Sequence, residues 1–385
     1  MNKKPIIFSL LALLCTALSY AVVYDKYPPT FRTEILERLE RAKPIFGKSD
    51  TVSVIFIGDV MLHSRQMNYP YKPFLEGIKS RLSEADIAIA NMEFTLGGKP
   101  YSGYPAFSAP DEYAHYVADC GIDIFLTANN HILDKGKSGV ERTLKIYDQM
   151  EEDGLIRHTG TNAGIEDKKS RYPLIINRHG IRIAFVNFTY GTNVPGSGYE
   201  WPSVNRINKD DIKAAVTRAK EKKADFIVAL PHWGEEYKLK HNSSQESLAK
   251  WLIDEGVDAV IGSHPHVVQD SCIIDGSPVF YSIGNAVSNM SASNTQLELA
   301  VTLRFVRDSN GDCKMLDSEV TYLWCSLPGM FKENYATIAV SDYVGKRDVW
   351  ANPADYDKMM STYRRVSTTT GVTDKSVANK LNNIK

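Results

Sequence analysis

The stretch Val257-Asp258-Ala259-Val260-Ile261-Gly262-Ser263-His264-Pro265-His266 carries an apolar run straight into two histidines. Four other runs end in the same manner. Residues 52–57 lead into Gly58-Asp59, and residues 87–90 into Asn91-Met92-Glu93. Residues 122–127 lead into Asn129-Asn130-His131-Ile132-Leu133-Asp134, and residues 226–230 into His232-Trp233-Gly234. Each run is short and rich in β-branched or aromatic residues, the signature of a buried strand. In layered α/β proteins the loops leaving the carboxyl ends of strands gather in one crevice. Asp, Glu, Asn and three His delivered there are hard and borderline metal ligands, so the pattern predicts a metal site assembled from the whole fold.

Helical stretches alternate with these runs at 71–83, 110–120, 137–151, 208–223 and 243–255, which argues for an α/β class. The later runs at 172–177, 181–188, 267–274 and 278–283 lack crossover helices between each pair, so the sheets are expected to be mixed. Gly180 and Asp275-Gly276 supply turns, and residues 297–306 and 314–323 read as a hairpin. The segment 188–201, with Tyr190, Tyr199 and Trp201 among glycines and prolines, reads as a lid over the crevice or as an ordinary surface loop. Residues 102–104 are a second candidate rim.

Composition narrows the partners. Across 385 residues, 45 Lys and Arg face 46 Asp and Glu, and no long basic stripe supports a nucleic-acid partner. Lys3 and Lys4 precede an apolar run at 6–18, and Ser19-Tyr20-Ala21 offers small residues before a cut. The apolar stretch extends to Val23, close to the roughly 17–25 residues that span a bilayer. Residues 1–23 are therefore a secretory signal peptide or an uncleaved membrane anchor, with the body outside the cytoplasmic membrane. It is anchored facing outward, or periplasmic if the signal is cleaved. Residues 24–50, with Ile35, Leu36 and Leu39 at helical spacing, read as a helical stem. Cys120 reads as a buried hydrophobe, whereas a bridge among Cys272, Cys313 and Cys325 stays open.

The order Gly-Asp, Asn-x-Glu, Asn-His, His, His-x-His resembles the metallophosphoesterase (calcineurin-like) superfamily. Within it the chain resembles the CapA/PgsA-type proteins of capsule and poly-γ-glutamate synthesis. The residues carrying that likeness are Gly58-Asp59-Val60-Met61, Asn91-Met92-Glu93, Ala128-Asn129-Asn130-His131 with Asp134 and Gly136, His232-Trp233-Gly234 with Glu236-Tyr237, Gly262-Ser263-His264-Pro265-His266 and Tyr281-Ser282-Ile283-Gly284-Asn285. The resemblance implies a four-layer α/β/β/α sandwich of two mixed sheets over residues 51–325. Residues 326–385 would follow as a C-terminal extension, polar beyond 350 and weakly ordered over about its last fifteen residues.

It also implies a set of roles. Asp59, Glu93, Asn130, His232, His264 and His266 would hold one or two divalent metal ions (Mn, Zn or Fe). His131 would stabilise or protonate the leaving oxygen, oriented by Asp134, while Glu236, Tyr237 and Asn285 would meet substrate. Two departures from the wider superfamily leave the metal count open. Met61 stands where a histidine is usual, and Asn91-Met92-Glu93 replaces Gly-Asp-x-x-Asp. His63 is the nearest substitute nitrogen, although a polar surface histidine is the commoner fate. The implied partners are the capsule or poly-γ-glutamate synthesis machinery in the membrane and an anionic polymer or phosphoester substrate, with no nucleic acid. The rival readings are a non-catalytic export or scaffold subunit and a secreted nucleotidase-like phosphoesterase.

Overall fold

The computed structural model describes residues 50–196 and 198–383. The expected signal or anchor and nearly all of the stem lie outside the described residues. From the start of the described chain run β1 (Asp50–Val60), α1 (Pro73–Glu76), α2 (Lys79–Glu84), β2 (Ile87–Met92), α3 (Asp111–Asp119), β3 (Ile124–Leu126), α4 (Gly136–Glu152) and β4 (Arg157–Thr159). Next come β5 (Thr161–Asn162), α5 (Ile165–Arg171), β6 (Leu174–Arg178), β7 (Ile181–Thr189), β8 (Ser203–Val204), α6 (Lys209–Glu221) and β9 (Phe226–His232). Then follow α7 (Ser243–Asp254), β10 (Ala259–Ile261), β11 (Ser271–Ile274) and β12 (Ser277–Phe280). The last are β13 (Leu297–Arg307), β14 (Cys313–Met315), β15 (Glu319–Ser326), β16 (Ala336–Ala339), α8 (Val340–Tyr343), α9 (Pro353–Thr370) and α10 (Lys375–Asn383).

Two mixed sheets face each other. The first has the order β16-β15-β13-β1-β2-β3-β4, with β14 beside β13; the second has the order β11-β12-β10-β9-β7-β6. Strands β1 to β4 are parallel, whereas β13 joins β1 antiparallel and β15 and β16 continue antiparallel. In the second sheet β7, β9, β10 and β12 are parallel, flanked by antiparallel β6 and β11. Successive side chains on a strand point to opposite faces. Val52, Val54, Phe56, Ile87 and Ile89 thus share the central core with Ile183, Phe185, Phe226 and Val228. Phe56 meets Phe185 edge-on at 6.5 Å between ring centroids, and Phe226 meets Phe305 at 4.5 Å. Each such ring contributes about 1.5–3 kcal/mol by leaving water.

The intervening residues Ile55, Ile57, Ala88 and Ala90 pack outward on Phe74, Leu82, Tyr113, Tyr147 and Met150 of α1 to α4. Ala184, Val186, Ile227 and Ala229 pack on Ile212 and Val216 of α6 and Leu248 and Leu252 of α7. The architecture is a four-layer α/β/β/α sandwich. Caps fix the helix starts on the second sheet. Asn208 accepts from the Asp210 and Asp211 amides, and Asn242 with Gln245 forms a reciprocal capping box on α7. Each cap is worth about 1 kcal/mol.

Two expectations change. The helix predicted over 71–83 is split at Gly77, where a Cβ would come within 2.5 Å of the Thr337 carbonyl oxygen of β16. Of 267–274 only Ser271–Ile274 is strand, because the preceding residues leave the sheet to build the site. Beyond residue 350 the described chain forms α9 and α10. Pro353 opens α9 behind the Asn352 cap and Gly371 closes it at φ 78°. Met359, Met360, Tyr363 and Val366 then join the central core, with Tyr363 edge-on to Tyr322 at 5.1 Å. Polar composition hid this helical stripe of four buried side chains. Cys120, Cys272, Cys313 and Cys325 are all unpaired.

Candidate metal centre

Both sheets deliver their parallel strand ends to one edge of the sandwich. At the end of β1, a Cβ on Gly58 would lie 1.9 Å from the Gly284 oxygen, so only glycine lets this strand touch the loop after β12. Asp59 follows and is fully buried. Its Oδ1 accepts from Asn91 Nδ2 at 2.7 Å, and its Oδ2 lies 3.3 Å from the His264 amide and 3.4 Å from His266 Nδ1. Asn129 Nδ2 donates to Asn91 Oδ1 at 3.2 Å, tying the ends of β2 and β3 together.

Glu93 is the centre of the arrangement. Its Oε1 lies 3.8 Å from His232 Nε2, 3.9 Å from His266 Nε2 and 4.0 Å from His131 Nε2. Neither Glu93 oxygen has a hydrogen-bond partner, and the buried His264 Nδ1 also lacks one. Ligand atoms of Glu93, His264 and His266 lie within 4.8 Å of one another. A buried unpaired carboxylate is costly unless a cation or donors meet it. The nitrogens around it stand just beyond hydrogen-bond reach, which is the donor set and spacing a divalent ion requires.

Backbone conformation solves the geometry of His264-Pro265-His266. In an extended segment the two rings would point to opposite sides. Here His264 has φ 98° and His266 φ 57°. Such values cost non-glycine residues roughly 1–3 kcal/mol each and cluster where function requires them. Asn285 Oδ1 accepts from His266 Nδ1 at 2.9 Å, which leaves Nε2 turned toward Glu93.

Burial pushes the Glu93 carboxyl well up, and the Asp59 carboxylate adds to the shift. Burial likewise pushes His232 well down and His264 down to about 3, helped in both by His266. Burial opposes protonation of His266 as well, but Glu93 and Asp59 outweigh it and hold this ring up at about 10. His232 and His264 are therefore neutral donors near pH 7, the form that metal ligation needs.

The six predicted ligands thus occupy one buried site, in distinct groups. Glu93, His264 and His266 form the tight cluster. Asp59 sits on the Nδ1 side of His266. Asn130 Oδ1 and His232 Nε2 pair with each other at 2.8 Å, while His232 Nδ1 meets Ser263 Oγ at 3.0 Å. His131 Nδ1 donates to Asp134 Oδ2 at 2.7 Å, and the same oxygen accepts from the Phe107 amide at 2.8 Å. Asp134 therefore positions His131 from behind and leaves Nε2 facing the centre. Glu236 and Tyr237 are exposed at the rim. Asn285, expected at the substrate, is fully buried and bonded to His266. His63 is half-buried against Phe107 and bonded to Gln66 and the Asn289 amide. From the expected lid, Tyr190 lies 4.5 Å from the His264 ring, and the Asn193 amide donates to the Asn130 carbonyl at 2.8 Å.

Two residues escaped the sequence reading. Asn187 accepts from the Ala128 amide at 2.9 Å and donates to the Leu230 carbonyl at 2.8 Å, joining the two halves of the site. Glu298 accepts from the Gly58 amide at 2.7 Å. Each is a polar residue flanked on both sides by buried apolar neighbours in its strand, the signal that could have flagged it.

Residues 53–290 match the family described as bacterial capsule synthesis protein PGA_cap. The chain belongs to that family. This PGA_cap chain is 28% identical over 290 residues to the capsule biosynthesis protein CapA of Bacillus anthracis, covering 71% of this chain and 69% of the relative. It is 26% identical over 277 residues to the PGA biosynthesis protein CapA of Bacillus subtilis (strain 168), covering 68% and 70%. Among solved structures, the calcineurin-like phosphoesterase YfkN from Bacillus subtilis aligns with TM-score 0.45 at 15% identity, over 84% of this chain and 100% of that one. A 5'-nucleotidase precursor from Thermus thermophilus aligns with TM-score 0.44 at 12% identity, over 83% and 59%. Membership of the CapA branch is what the ordered motifs of this PGA_cap chain led us to expect.

Proposed function

We propose that this CapA-type capsule-biosynthesis protein is a metal-dependent hydrolase acting outside the cytoplasmic membrane. Its substrate is a phosphoester or another bond in the capsule polymer, within the capsule or poly-γ-glutamate machinery. The observation that carries the reading is the orphaned carboxylate of Glu93, ringed by imidazole nitrogens in a fully buried site. Glu93, His264 and His266 would hold the ion, joined by Asp59, Asn130 and His232 as their side chains turn from one another toward it. Nitrogen and oxygen donors without thiolate suit Mn, Zn or Fe.

Bound there, a divalent cation supplies charge to a developing oxyanion and lowers the pKa of water. The chain's own contribution is the proton and its placement. His131 carries its Nδ1 proton toward Asp134, so Nε2 is the atom that gives a proton to a leaving oxygen after protonation. Asp134 and Phe107, whose ring is perpendicular to that of His131 at 4.7 Å between centroids, fix the ring plane. Tyr190 covers His264 and His232 and limits water at that side.

Elemental analysis of the purified full chain tests the site. We expect stoichiometric metal in the parent and its loss in Glu93→Gln and His264→Ala, with both variants folded. Unchanged metal in both overturns the assignment. Turnover of a generic phosphodiester that vanishes in His131→Gln supports the chemistry. The rival reading is a non-catalytic subunit of polymer export. Bound metal without turnover on any phosphoester is the result that selects it.

A further inference from the structure

Residues 281–296 join β12 to β13 without a helix or strand of their own. A connection of that length inside a compact domain usually serves a function. Its first half runs against the end of β1. The Gly284 carbonyl accepts from the Asp59 amide at 3.0 Å, and the Asp59 carbonyl accepts from the Ala286 amide at 2.9 Å. The Val287 carbonyl then takes the Met61 amide at 2.8 Å. From the same stretch the Asn285 side chain reaches His266. One loop thus fixes the backbone of one expected ligand and the ring of another.

The second half of the loop is held from outside. Asn285 Nδ2 donates to the Thr295 carbonyl at 3.2 Å, so the two halves are tied at the residue that meets His266. Before Thr295, Asn294 takes the left-handed conformation at φ 72°. Its Oδ1 accepts from Arg365 of α9, from Nε at 3.1 Å and from Nη2 at 2.7 Å. After Thr295, Gln296 is buried and donates from Nε2 to the Cys325 carbonyl of β15 at 2.9 Å. Its Oε1 accepts from Lys358 Nζ of α9.

Lys358 and Arg365 stand about two turns apart on one face of α9, and they grip the residues on either side of Thr295. Both acceptors are amide oxygens, so what these bonds fix is the course of the loop. The helix that carries them is no loose appendage. Met359, Met360, Tyr363 and Val366 seat it in the central core. The family likeness covers residues 53–290, so the outer half of the loop and α9 lie beyond the matched residues.

We propose that Lys358 and Arg365 are positioning residues of the metal centre, acting through Thr295 and Asn285 on the His266 ring. Their role rests on the reading of His266 as a metal ligand. Groups that orient a ligating histidine change metal affinity by about 10–100-fold when they are removed. Asn285 is such a group, and α9 is its outer support.

Zinc affinity of the full chain, measured by competition with a chromophoric chelator, tests the assignment. Asn285→Ala should weaken zinc by at least about tenfold. The double variant Lys358→Met, Arg365→Met should weaken it by about tenfold, with a melting temperature in chelator within about 4 °C of the parent. Methionine keeps the helix propensity and the apolar stem at both positions. Removing two positive charges by itself favours a bound cation, so weaker binding has the sign of misplacement rather than of charge. Lys358→Arg, Arg365→Lys keeps a donor at each site and should restore affinity to within about threefold of the parent. Parent-like affinity in the double methionine variant overturns the proposal. So does an equal loss in the donor-keeping pair, or a loss that comes with a melting temperature lowered beyond about 4 °C. If Asn285→Ala alone weakens zinc, the metal centre stands and the role of α9 is refuted. A parent that binds no zinc, or binding unmoved in every variant, removes His266 from the ligands and the proposal with it.

Discussion

Replacing Asn187 by alanine tests whether the two halves of the site are held by one side chain. Asn187 lies in β7 of the second sheet. Its Oδ1 takes the Ala128 amide from the loop after β3, and its Nδ2 reaches the Leu230 carbonyl of β9, both buried. Gly160 packs so closely that a Cβ there would meet Asn187 Oδ1 at 2.2 Å, which leaves little room for rearrangement. Truncation strands one buried donor and one buried acceptor. At about 1–3 kcal/mol for each unsatisfied group, the cost is roughly 2–6 kcal/mol. Taking about 2 °C per kcal/mol for a domain of this size, the melting temperature should fall by roughly 4–12 °C. Asn187→Asp keeps an acceptor for Ala128, loses the donor to Leu230 and adds a buried charge, so it should be no milder. Circular-dichroism melting with chelator measures the structural part, and metal affinity measured by competition reports the site. Asn130 and His232 ride on the two bonded segments, so affinity should drop with stability. A melting point within about 2 °C of the parent, with unaltered affinity, would refute the reasoning.

Two further outcomes follow from other contacts. The metal-free protein should lose stability as pH rises from 6.5 toward 10. His232 and His264 have folded values below the ordinary 6.5, so their contribution is present above that pH and is lost as pH falls, for His264 through about 3. His266, held up at about 10, contributes below pH 6.5 and loses that contribution as pH rises through 10. Below pH 6.5 the raised Glu93 and Glu298 carboxyls oppose the two imidazoles, so the test lies above it: urea midpoints in chelator that stay flat between pH 7 and 9 would count against this account. Asp355→Ala should cost roughly 2–4 kcal/mol, because Trp324 Nε1 at 3.1 Å and Ser326 Oγ at 2.9 Å both lose their buried acceptor. An unmoved urea midpoint would show that α9 is secured by its apolar stripe alone.

The parts of this molecule readable from sequence are those in which chemistry and periodicity coincide. Runs such as residues 226–230 are apolar because both faces of their sheet are covered, so they announced strands, and the polar residues after them announced the site. The helix over Gly136–Glu152 was visible for the same reason, its buried Val140, Leu144 and Tyr147 recurring at helical spacing. The C-terminal helices were not, because their buried methionines, Tyr363 and Val366 are diluted among serine and threonine. The ligand residues could be named, but their grouping could not. That Asn285 turns inward to His266 while Glu236 and Tyr237 stay outside depends on the path of the loop after β12, which no local pattern encodes. Asn187 shows the deeper limit. Its two partners lie 59 and 43 residues away, on different sheets, and only the closed sandwich reveals them.

The site draws Asp59, Glu93 and Asn130 from one sheet and His232, His264 and His266 from the other. An ion held there, as proposed, would be gripped from both sides and act as a rivet through the sandwich. Its free energy of binding adds directly to the cohesion of the two sheets, by the same mass action that stabilises any protein through a ligand of the native state. The rivet cannot be set early, since Asp59 and His266 meet only after the intervening chain has folded, and such distant pairings form late. Metal occupancy would therefore be a stamp of completed assembly: a chain that carried the ion would, by that fact, have brought both sheets into register.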